Sequence, residues 1–463
     1  MSRNNAVTTD KAEVPSTMPL SRSMSRLLGR AMRGTKVLAN PTPSLTSAAT
    51  KKEFKTEQAI RRVEEILFNN EDNDPHWCFI HRQFSGQPTN LVLEKESEAY
   101  CEDKNQNKQC IGAPEAAITV DVSPSLSLHE RFSAAEVRAW DPEGFEIIQK
   151  LQDAARNQGE VLLMRDRSSN TLVAVKRMPI AWVGSSHEDF LARHPDESEK
   201  PWQDIGCVRY LNTVGYPYAC QLHGVFRDEQ HTYVVYSFAT EGDLHTWCSG
   251  GPKPSLESEL QKQPVCVEIL RAMKQLHDSS VVHGDVSLEN ILLSQSTSSC
   301  NDGKDNGNNG VKSALQVRVI DFGVASVNRQ LKYKKGGKNS YHAPELFSGE
   351  NYDGFLSDAF SIGVMLYAIM TLDYPWLSTQ AGHCPRWGYV QTFGLRSYLE
   401  KRQVNDGAAT AVEVLSEPLM CLLEGLLALD PAKRLTLGER CFESCGRRSV
   451  WDEPWVAKFT AAS

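Results

Sequence analysis

Three polar side chains follow short apolar runs in the middle of this 463-residue chain. Asp285 lies five residues before Asn290, and Asp321 comes thirty-one residues after Asn290. Transfer of a phosphoryl group from a nucleotide needs a carboxylate that orients the acceptor hydroxyl and two side chains that hold magnesium ions. Asp285 suits the first role, and Asn290 and Asp321 suit the second. The spacing therefore indicates phosphoryl-transfer chemistry that uses ATP and Mg²⁺.

The stretch around Asp285, Val-Val-His-Gly-Asp-Val-Ser-Leu-Glu-Asn-Ile-Leu-Leu, resembles the catalytic loop of eukaryotic protein kinases, and Asp-Phe-Gly at Asp321 fits the same family. Leu-Val-Ala-Val-Lys ends at Lys176 and resembles the strand whose lysine pairs the nucleotide phosphates. Ala-Pro-Glu ends at Glu345, and Arg434 stands where the buried partner of Glu345 belongs. The order of these motifs makes the resemblance specific.

The resemblance covers about residues 144–458 and implies an α+β fold, the two-lobed protein kinase fold, with a β-rich N-lobe and an α-helical C-lobe. We expect the N-lobe at 144–240, with strands at 145–151, 160–165 and 171–178, and the C-lobe at 241–458, with a helix at 265–279. A run rich in Ser, Asn and Gly at 295–314 predicts a flexible insertion at the tip of a hairpin.

The N-terminal region, residues 1–143, is predicted to be mostly disordered. Its first 50 residues are rich in Ser, Thr, Pro, Arg and Asn and poor in aromatic residues, so they bury too little apolar surface to order. Apolar residues at three- and four-residue spacing predict one helix near 52–69. This helix has the pattern of a docking element, but the sequence does not name its partner.

The resemblance also implies the residues of the nucleotide site. The implied catalytic residues are Asp285, Lys176, Asn290 and Lys338, and the implied metal ligands are Asn290 and Asp321. The implied nucleotide contacts are Leu151, Gly159, Val161, Ala174, Lys176, Asp243 and Leu292. For Asp243 a second role, as the acid at a helix N-terminus, is compatible with the first. The two internal hydrophobic columns of the family are matched by Leu211, Leu222, His283 and Phe322, and by Val161, Ala174 and Leu292.

The phosphate-covering loop departs from the family pattern. Of the usual Gly-x-Gly-x-x-Gly-x-Val, only Gly159 and Val161 remain in the register from 154 to 161. Glycines allow the backbone to approach phosphate closely, so this loop should hold phosphate less well. Arg156 is a hypothetical additional phosphate contact.

The helix that usually carries a glutamate partner for the strand lysine has Cys207 at that position. A thiol does not form this ion pair at neutral pH unless its pKa is strongly lowered. Asp204 lies one helical turn earlier on the same face and is the proposed substitute, which would require a shifted helix. The alternative is that Lys176 has no partner on this helix.

Two residues of the catalytic loop also depart from the family. Gly284 replaces the arginine that pairs with a phosphorylated activation segment, which implies activity that is not gated in that way. Ser287 replaces the lysine that Ser/Thr kinases place on the transferring phosphate. The charge on the phosphoryl oxygens still has to be stabilised, and Lys338 is the residue proposed to supply the missing cation.

The activation segment after Asp321 is basic. Its cations are Arg329, Lys332, Lys334, Lys335 and Lys338. Such a segment is either a solvated charged loop or a surface that attracts acidic or pre-phosphorylated protein substrates. Glu289 beside Asn290 favours Ser/Thr over Tyr acceptors.

Composition excludes several other classes of protein. A formal charge of −8 argues against a general nucleic-acid binder. The sequence contains no run of about 18 apolar residues, so it predicts no membrane span. The N-terminus lacks an apolar signal core, so the twelve cysteines are expected as free thiols in a reducing compartment: the cytoplasm, with the nucleus as alternative.

The rival function is that of a pseudokinase, a nucleotide-binding scaffold with weak or no activity. The residues that favour it are Cys207, Gly284, Ser287 and the eroded glycine loop. Lys176, Asp285, Asn290 and Asp321 are all present, and transfer can least spare these groups. We therefore expect an ATP-dependent protein Ser/Thr kinase.

Overall fold

The structure is a computed structural model that describes residues 61, 126–154, 157–295, 315–332 and 337–460. Of the helix predicted over 52–69, only Arg61 is described, and its backbone is helical. The predicted disorder before residue 126, the Arg156 contact and the insertion beyond Gln295 lie outside the described residues.

The N-lobe is built on a six-stranded sheet that carries three helices between its fourth and fifth strands. The strand order is β1-β5-β6-β4-β3-β2, and all neighbours are antiparallel except β1 and β5. The strands are β1 (Arg138–Ala139), β2 (Phe145–Ala154), β3 (Gly159–Asp166), β4 (Thr171–Pro179), β5 (Leu222–Arg227) and β6 (His231–Ser237). The helices are α1 (Ile180–Val183), α2 (His187–Arg193) and α3 (Pro201–Thr213).

The C-lobe is mainly helical, and its described residues also form three two-stranded sheets. Its helices are α4 (Leu244–Ser249), α5 (Leu256–Asp278), α6 (Gly354–Thr371), α7 (Pro385–Leu399), α8 (Ala411–Val414), α9 (Glu417–Leu426), α10 (Arg440–Glu443) and α11 (Pro454–Thr460). Its strands are β7 (Ile291–Gln295), β8 (Leu315–Val319), β9 (Gln330–Lys332), β10 (Asn351–Asp353), β11 (Gln403–Val404) and β12 (Ala409–Thr410). They form the sheets β7-β8, β9-β10 and β11-β12.

Helix α6 is the core of the C-lobe, and each of its residues is buried. Among the described residues it is the one helix whose length and apolar composition would suffice to cross a membrane. Burial inside the fold accounts for that composition, since a helix that is apolar on all sides needs neighbours on all sides.

Alternation of side chains in β4 assigns its two faces. Val173 and Val175 are buried in a small core on one face of the sheet. Because successive side chains point to opposite faces, Ala174 and Lys176 lie together on the other face. Val161 on β3 is the cross-strand partner of Lys176 and shares that face.

The sequence identified the principal strands and helices well. Strands predicted over 145–151, 160–165 and 171–178 correspond to β2, β3 and β4. The helix predicted from Val265 begins nine residues earlier, at Leu256, and contains Pro264. A proline in a helix frees the carbonyl four residues before it. That carbonyl belongs to Leu260, which is 61% exposed, and Pro264 is exposed as well, so the proline falls on the solvent side of the helix.

Ordered packing extends before residue 144, the predicted start of the N-lobe. Residues 126–143, which the sequence predicts to belong to a mostly disordered region, pack on the N-lobe: Leu128 and Phe132 join the main core, and β1 pairs with β5. This segment consists of short 3₁₀ turns capped by serines, Leu128–Arg131 after Ser127 and Ala134–Glu136 after Ser133. Such turns are too short to show a hydrophobic period, so the sequence pattern gave no sign of them.

Candidate active site

The β7–β8 hairpin brings the two proposed metal ligands to neighbouring backbone positions. Asn290 comes directly before β7, and one residue, Ile320, separates the end of β8 from Asp321. Ile291 pairs with Val319, and the Ile320 amide donates to the Asn290 carbonyl at 3.0 Å. Asp321 has a left-handed backbone conformation (φ 64°), which is uncommon for aspartate and typical of functional sites.

Asp285 is fixed from the side of Asn290. The Asn290 amide nitrogen donates to the Asp285 carbonyl oxygen at 2.8 Å and to its carboxylate at 3.3 Å. This turns the amide oxygen of Asn290 away from Asp285 and leaves it as the atom available to ligate a cation. The proposed catalytic aspartate, Asp285, and the proposed metal ligand, Asn290, are therefore oriented by the same pair of hydrogen bonds.

Asp358 on α6 holds the backbone of the catalytic loop from below. Its carboxylate accepts hydrogen bonds from the amides of His283 (2.7 Å) and Gly284 (3.0 Å). Gly284 has φ +78°, a conformation that favours glycine. A Cβ there would lie 3.3 Å from the carbonyl oxygen of Val324. The glycine thus has a conformational reason in addition to the regulatory one read from the sequence.

A second residue holds Asp358, and no sequence motif points to it. Buried His277 on α5 lies between two acids, with Nε2 3.1 Å from Asp358 and Nδ1 2.8 Å from Glu439. Burial lowers the pKa of His277, but the hydrogen bonds to Asp358 and Glu439 outweigh it and raise the pKa to about 9. A buried imidazolium therefore links Glu439 to the support of the catalytic loop.

Lys176 pairs with Asp204, the substitute proposed from the sequence. The Lys176 ammonium lies 3.3 Å from the Asp204 carboxylate, whose other oxygen accepts from the Phe322 amide at 3.0 Å. Burial lowers the pKa of Lys176, but the carboxylates of Asp204 and Asp321 outweigh it, and the pKa is raised. Lys176 is thus a stable cation beside the proposed metal ligand, and Asp204 ties it to the Asp-Phe-Gly segment.

Cys207, which occupies the usual glutamate position, is fully buried. Burial and the nearby Asp204 raise the pKa of its thiol well above the ordinary value, so it stays neutral. The alternative in which Lys176 lacks a helix partner does not describe this structure.

Lys338 reaches the catalytic loop from the activation segment. Its ammonium donates to the Ser287 hydroxyl at 2.8 Å and lies 2.7 Å from the Glu289 carboxylate. Burial raises the pKa of Glu289, but the charge of Lys338 outweighs it, and the pKa is lowered. Gly337, the residue before Lys338, lies close to Asp285: a Cβ at Gly337 would be 3.1 Å from the Asp285 carboxylate. A cation is therefore present where the loop itself has only a serine.

The residues predicted to surround the base of the nucleotide are partly buried and come from both lobes. Leu151, at a bulge in β2, and Val161, Ala174 and Leu292 are neither fully buried nor exposed. Asp243 forms a β-bridge with Leu292 and caps α4 by accepting from the Thr246 amide at 2.8 Å. The helix-capping role of Asp243 is thus present.

The first internal column is formed as the resemblance implies. Leu211, Leu222, His283 and Phe322 are buried, and the rings of His283 and Phe322 are 5.2 Å apart. Tyr236 on β6 pairs with Ala174 at the deep end of the second column. Its hydroxyl is buried, and within the described part of the chain it has no hydrogen-bond partner.

The activation segment is anchored by its one arginine, Arg329. Arg329 donates to Asp353 at 2.5 and 2.8 Å, and its guanidinium lies 4.2 Å from the Phe442 ring centroid. Next to it, β9 pairs with β10. Arg329 and Lys338 are therefore engaged within the fold, Lys332 is exposed, and Lys334 and Lys335 lie outside the described residues.

The end of the activation segment is held by the predicted buried ion pair. The Arg434 guanidinium is 1% exposed and donates to both Glu345 oxygens, at 2.5 and 2.9 Å. The loss of either partner would leave a buried charge uncompensated, which typically costs about 3–5 kcal/mol.

These donors fit nucleotide and magnesium. An ammonium, an amide oxygen and a carboxylate are the groups that bind phosphate oxygens and Mg²⁺. In the described ranges, no group of three or more His, Cys, Asp or Glu side chains could hold a metal ion by itself. Mg²⁺ usually takes one or two carboxylates and completes its shell with water and substrate phosphates, so Asn290 and Asp321 are sufficient protein ligands.

Comparison with known proteins agrees with this geometry. The family model described as "Protein kinase domain" matches residues 157–446. Serine/threonine-protein kinase SIK2 of Gallus gallus is 25% identical over 290 residues, which are 61% of this chain and 29% of that protein. Serine/threonine-protein kinase SIK1 of Rattus norvegicus is 26% identical over 290 residues, 61% of this chain and 30% of that protein.

A shorter match covers the same part of the chain. Serine/threonine-protein kinase kin-29 of Caenorhabditis briggsae is 27% identical over 233 residues, which are 50% of this chain and 24% of that protein. The chain thus spans less than a third of the length of these curated relatives.

Proposed function

Because this chain belongs to the protein kinase domain family, we propose that it transfers the γ-phosphoryl group of ATP to Ser and Thr hydroxyls of protein substrates. The observation that carries the proposal is the assembly around Asp321. Lys176, which pairs with Asp204, and the Asp285–Asn290 pair converge on this residue from the two lobes. The names of the relatives, all Ser/Thr kinases, support the acceptor class.

Each group has a role in this reaction. Asp285 orients the acceptor hydroxyl and accepts its proton, and Lys176 binds phosphate oxygens of the nucleotide. Mg²⁺, when bound by Asn290 and Asp321, neutralises phosphate charge. Lys338 stabilises the charge that develops on the transferring group, from the position beside Ser287 that the loop lysine would otherwise serve.

We also propose that activity does not depend on phosphorylation of the activation segment. Gly284 offers no cation to a phosphorylated residue. Arg329 binds Asp353 and the Phe442 ring, and so holds the segment by contacts that need no phosphate. We propose an acidic or pre-phosphorylated peptide as substrate. Exposed Lys332 supports this proposal, whereas Arg329 and Lys338, two of the five cations of the activation segment, are engaged within the fold.

A second candidate function is a nucleotide-binding scaffold without transfer activity. It is favoured by the neutral, buried thiol of Cys207 and by the single glycine, Gly159, that remains of the phosphate loop. The Lys176–Asp204 pair weakens this case, because it supplies what Cys207 does not.

The experiment that tests the proposal compares phosphate transfer from Mg-ATP by the wild type and by Asp285→Asn. We expect the substitution to lower turnover by at least about a thousandfold and to leave the ATP affinity within about threefold. Asp406→Asn is the matched control, since Asp406 lies in the exposed turn between β11 and β12. Equal transfer by wild type and Asp285→Asn, or none by the wild type with intact ATP binding, would leave the scaffold function.

A further inference from the structure

The chain before the N-lobe wraps around the side of the lobe that is remote from the cleft. We call residues 127–140 the N-terminal strap. Its first turn packs Leu128 and Phe132 into the main core beside α3. Its end forms β1, the strand parallel to β5, and the ring of Trp140 stacks on Tyr233 with centroids 4.0 Å apart. The strap thus joins the outer edge of the sheet to the back of α3.

Backbone lies against backbone where the strap meets α3. Gly206 is the contact point, since a Cβ there would overlap the carbonyl oxygen of Leu128 and lie 3.2 Å from the Cα of His129. Glycine costs helix stability in a helix interior, by roughly 1 kcal/mol relative to alanine. The close approach of the strap is the physical reason for glycine at this position.

The contact lies on the opposite side of α3 from the catalytic ion pair. Gly206 lies two positions after Asp204, which at 3.6 residues per turn is about 200° around the helix axis. Asp204 faces Lys176 and Phe322, and Gly206 faces the strap. Helix α3 is therefore held between the site on one side and the strap on the other.

Further contacts fix the rotation and the height of the helix. Glu136 of the strap forms an ion pair with Arg209 at 3.2 Å. Arg131 lies over the ring of Tyr210, 4.8 Å from its centroid. A third contact reaches the preceding helix, because the rings of His129 and His187 stack with centroids 3.8 Å apart. These contacts extend along α2 and α3.

The position of helix α3 is more critical for the ion pair of Lys176 with Asp204 than it would be for a pair with a glutamate at residue 207. An aspartate side chain is one methylene shorter, and it begins one helical turn earlier on the helix. Asp204 must nevertheless reach two donors at once, at 3.3 Å to Lys176 and 3.0 Å to the Phe322 amide. Hydrogen bonds weaken steeply beyond these distances, so a displacement of α3 by about 1 Å would break both.

We propose that the N-terminal strap is a positioning element of the catalytic site, which fixes α3 through Gly206 and Arg209 so that Asp204 can orient Lys176 and the Asp-Phe-Gly segment. The strap touches neither nucleotide nor acceptor, so Gly206 and Arg209 are positioning residues. This inference rests on the proposed function, because it assigns the strap an effect on phosphate binding by Lys176.

Gly206→Ala tests the contact directly. Alanine raises intrinsic helix propensity, so a loss of function would not come from a weaker helix. The added methyl group has to displace either the strap or α3. We expect the KM for ATP to rise and kcat/KM for ATP to fall by about tenfold, with the KM for an acceptor peptide unchanged. Gly250→Ala is the control, because its Cβ would meet only the Thr246 carbonyl, at 3.7 Å.

A double-mutant cycle asks whether the strap acts through Asp204. In the Asp204→Ala background, Gly206→Ala should change kcat/KM for ATP by less than about twofold, because the carboxylate that Gly206→Ala would displace is already absent. A tenfold effect that persists in this background would overturn the proposal and leave a merely structural contact.

Exchange of the charges of Glu136 and Arg209 tests whether a loss of activity can be reversed. Both side chains are partly exposed, so their replacement does not disturb the core. Glu136→Arg and Arg209→Glu should each lower kcat/KM for ATP by about three- to tenfold, and the double exchange should restore it to within about twofold. Failure of the double exchange to recover activity, with folding intact by circular dichroism, would count against the proposal.

Hydrogen exchange separates this inference from the proposed function. Gly206→Ala should speed exchange of the Phe322 amide, which donates to Asp204, whether or not the protein transfers phosphate. A wild type without transfer would refute the proposed function alone. An active wild type with unchanged kinetics and unchanged Phe322 exchange in Gly206→Ala would refute the positioning role alone.

Discussion

At the scale of single residues, a lysine from the activation segment contacts the serine that replaces the family's catalytic-loop lysine. Ser287 occupies the loop position, and Lys338 donates to its hydroxyl from the activation segment. Glu289 completes the arrangement as the counter-ion of Lys338. The positive charge is thus present near Asp285, although the chain supplies it from another segment.

Replacement of Lys338 by alanine should lower kcat by about ten- to a hundredfold, because a cation that stabilises developing charge would be lost. The KM for ATP should change by less than about threefold, since Lys176 and the metal ligands remain. Steady-state kinetics with Lys253→Ala as control checks this, because Lys253 is an exposed lysine of the C-lobe outside the activation segment. Undiminished turnover in Lys338→Ala would remove Lys338 from the site.

The sequence predicted the chemical groups of the site better than their support. Asp204 and Lys338 were found because the motifs fix a register, and a missing charge at one position directs the search to its neighbours. Gly284 was read only as a lost arginine, since its positive φ is a property of the backbone that side-chain identity does not show. His277 was missed because its partner Glu439 lies 162 residues away.

At the scale of elements, helices α5 and α6 support the catalytic loop jointly. Asp358 of α6 holds the loop amides, and His277 of α5 holds Asp358. The same imidazole stacks on Phe355 at the start of α6, with ring centroids 4.2 Å apart. Protonation of a single histidine therefore affects the junction of two core helices.

The stability of the protein should fall at alkaline pH because of His277. Its pKa is about 9 when folded and 6.5 when free, so the stabilisation is fully present below about pH 6.5 and is lost as pH rises through about 9. The loss should approach about 3 kcal/mol, from roughly 1.4 kcal/mol per pKa unit. Denaturant unfolding at pH 6.5, 8 and 9.5 measures it. His277→Gln, which does not titrate, should show a flatter profile, and parallel profiles would contradict the prediction.

The elements that the sequence revealed are those with a distinct apolar run. Strands β3 and β4 contain the short runs Val-Leu-Leu-Met and Leu-Val-Ala-Val, and α6 contains a long one, so the length of each run indicates the type of element. The strap has neither pattern, since its turns are three or four residues long and bury only Leu128, Arg131 and Phe132. Tertiary contact with α3 determines its structure, and a single sequence does not display such contacts.

At the scale of the whole molecule, the folded unit begins before the conventional start of the family's domain. The matched region starts at residue 157, whereas the described core includes Leu128. Leu128 and Phe132 of the strap belong to the main core, which contains residues of both lobes, so their apolar contacts contribute to the stability of the folded unit.

A chain that begins at residue 144 should be markedly less stable than one that begins at residue 126. Removal of the strap exposes the surface that Leu128 and Phe132 cover and leaves one edge of β5 unpaired. We expect the Tm of the shorter chain to fall by at least about 5 °C, as a loss of a few kcal/mol would produce in a protein of this size. Scanning calorimetry of the two chains checks this, and equal Tm values would show the strap to be an accessory to the fold.

The position of Lys338 has a consequence for the order of events in a catalytic cycle. In this protein the cation proposed for the transferring phosphate is carried by the end of the activation segment, between Gly337 and Glu345. If this end of the segment were disordered, the protein would still bind nucleotide through Lys176 but would lack part of the charge needed for transfer. Ordering of the segment would then switch on charge stabilisation, so hydrolysis of ATP would stay slow until the segment is ordered.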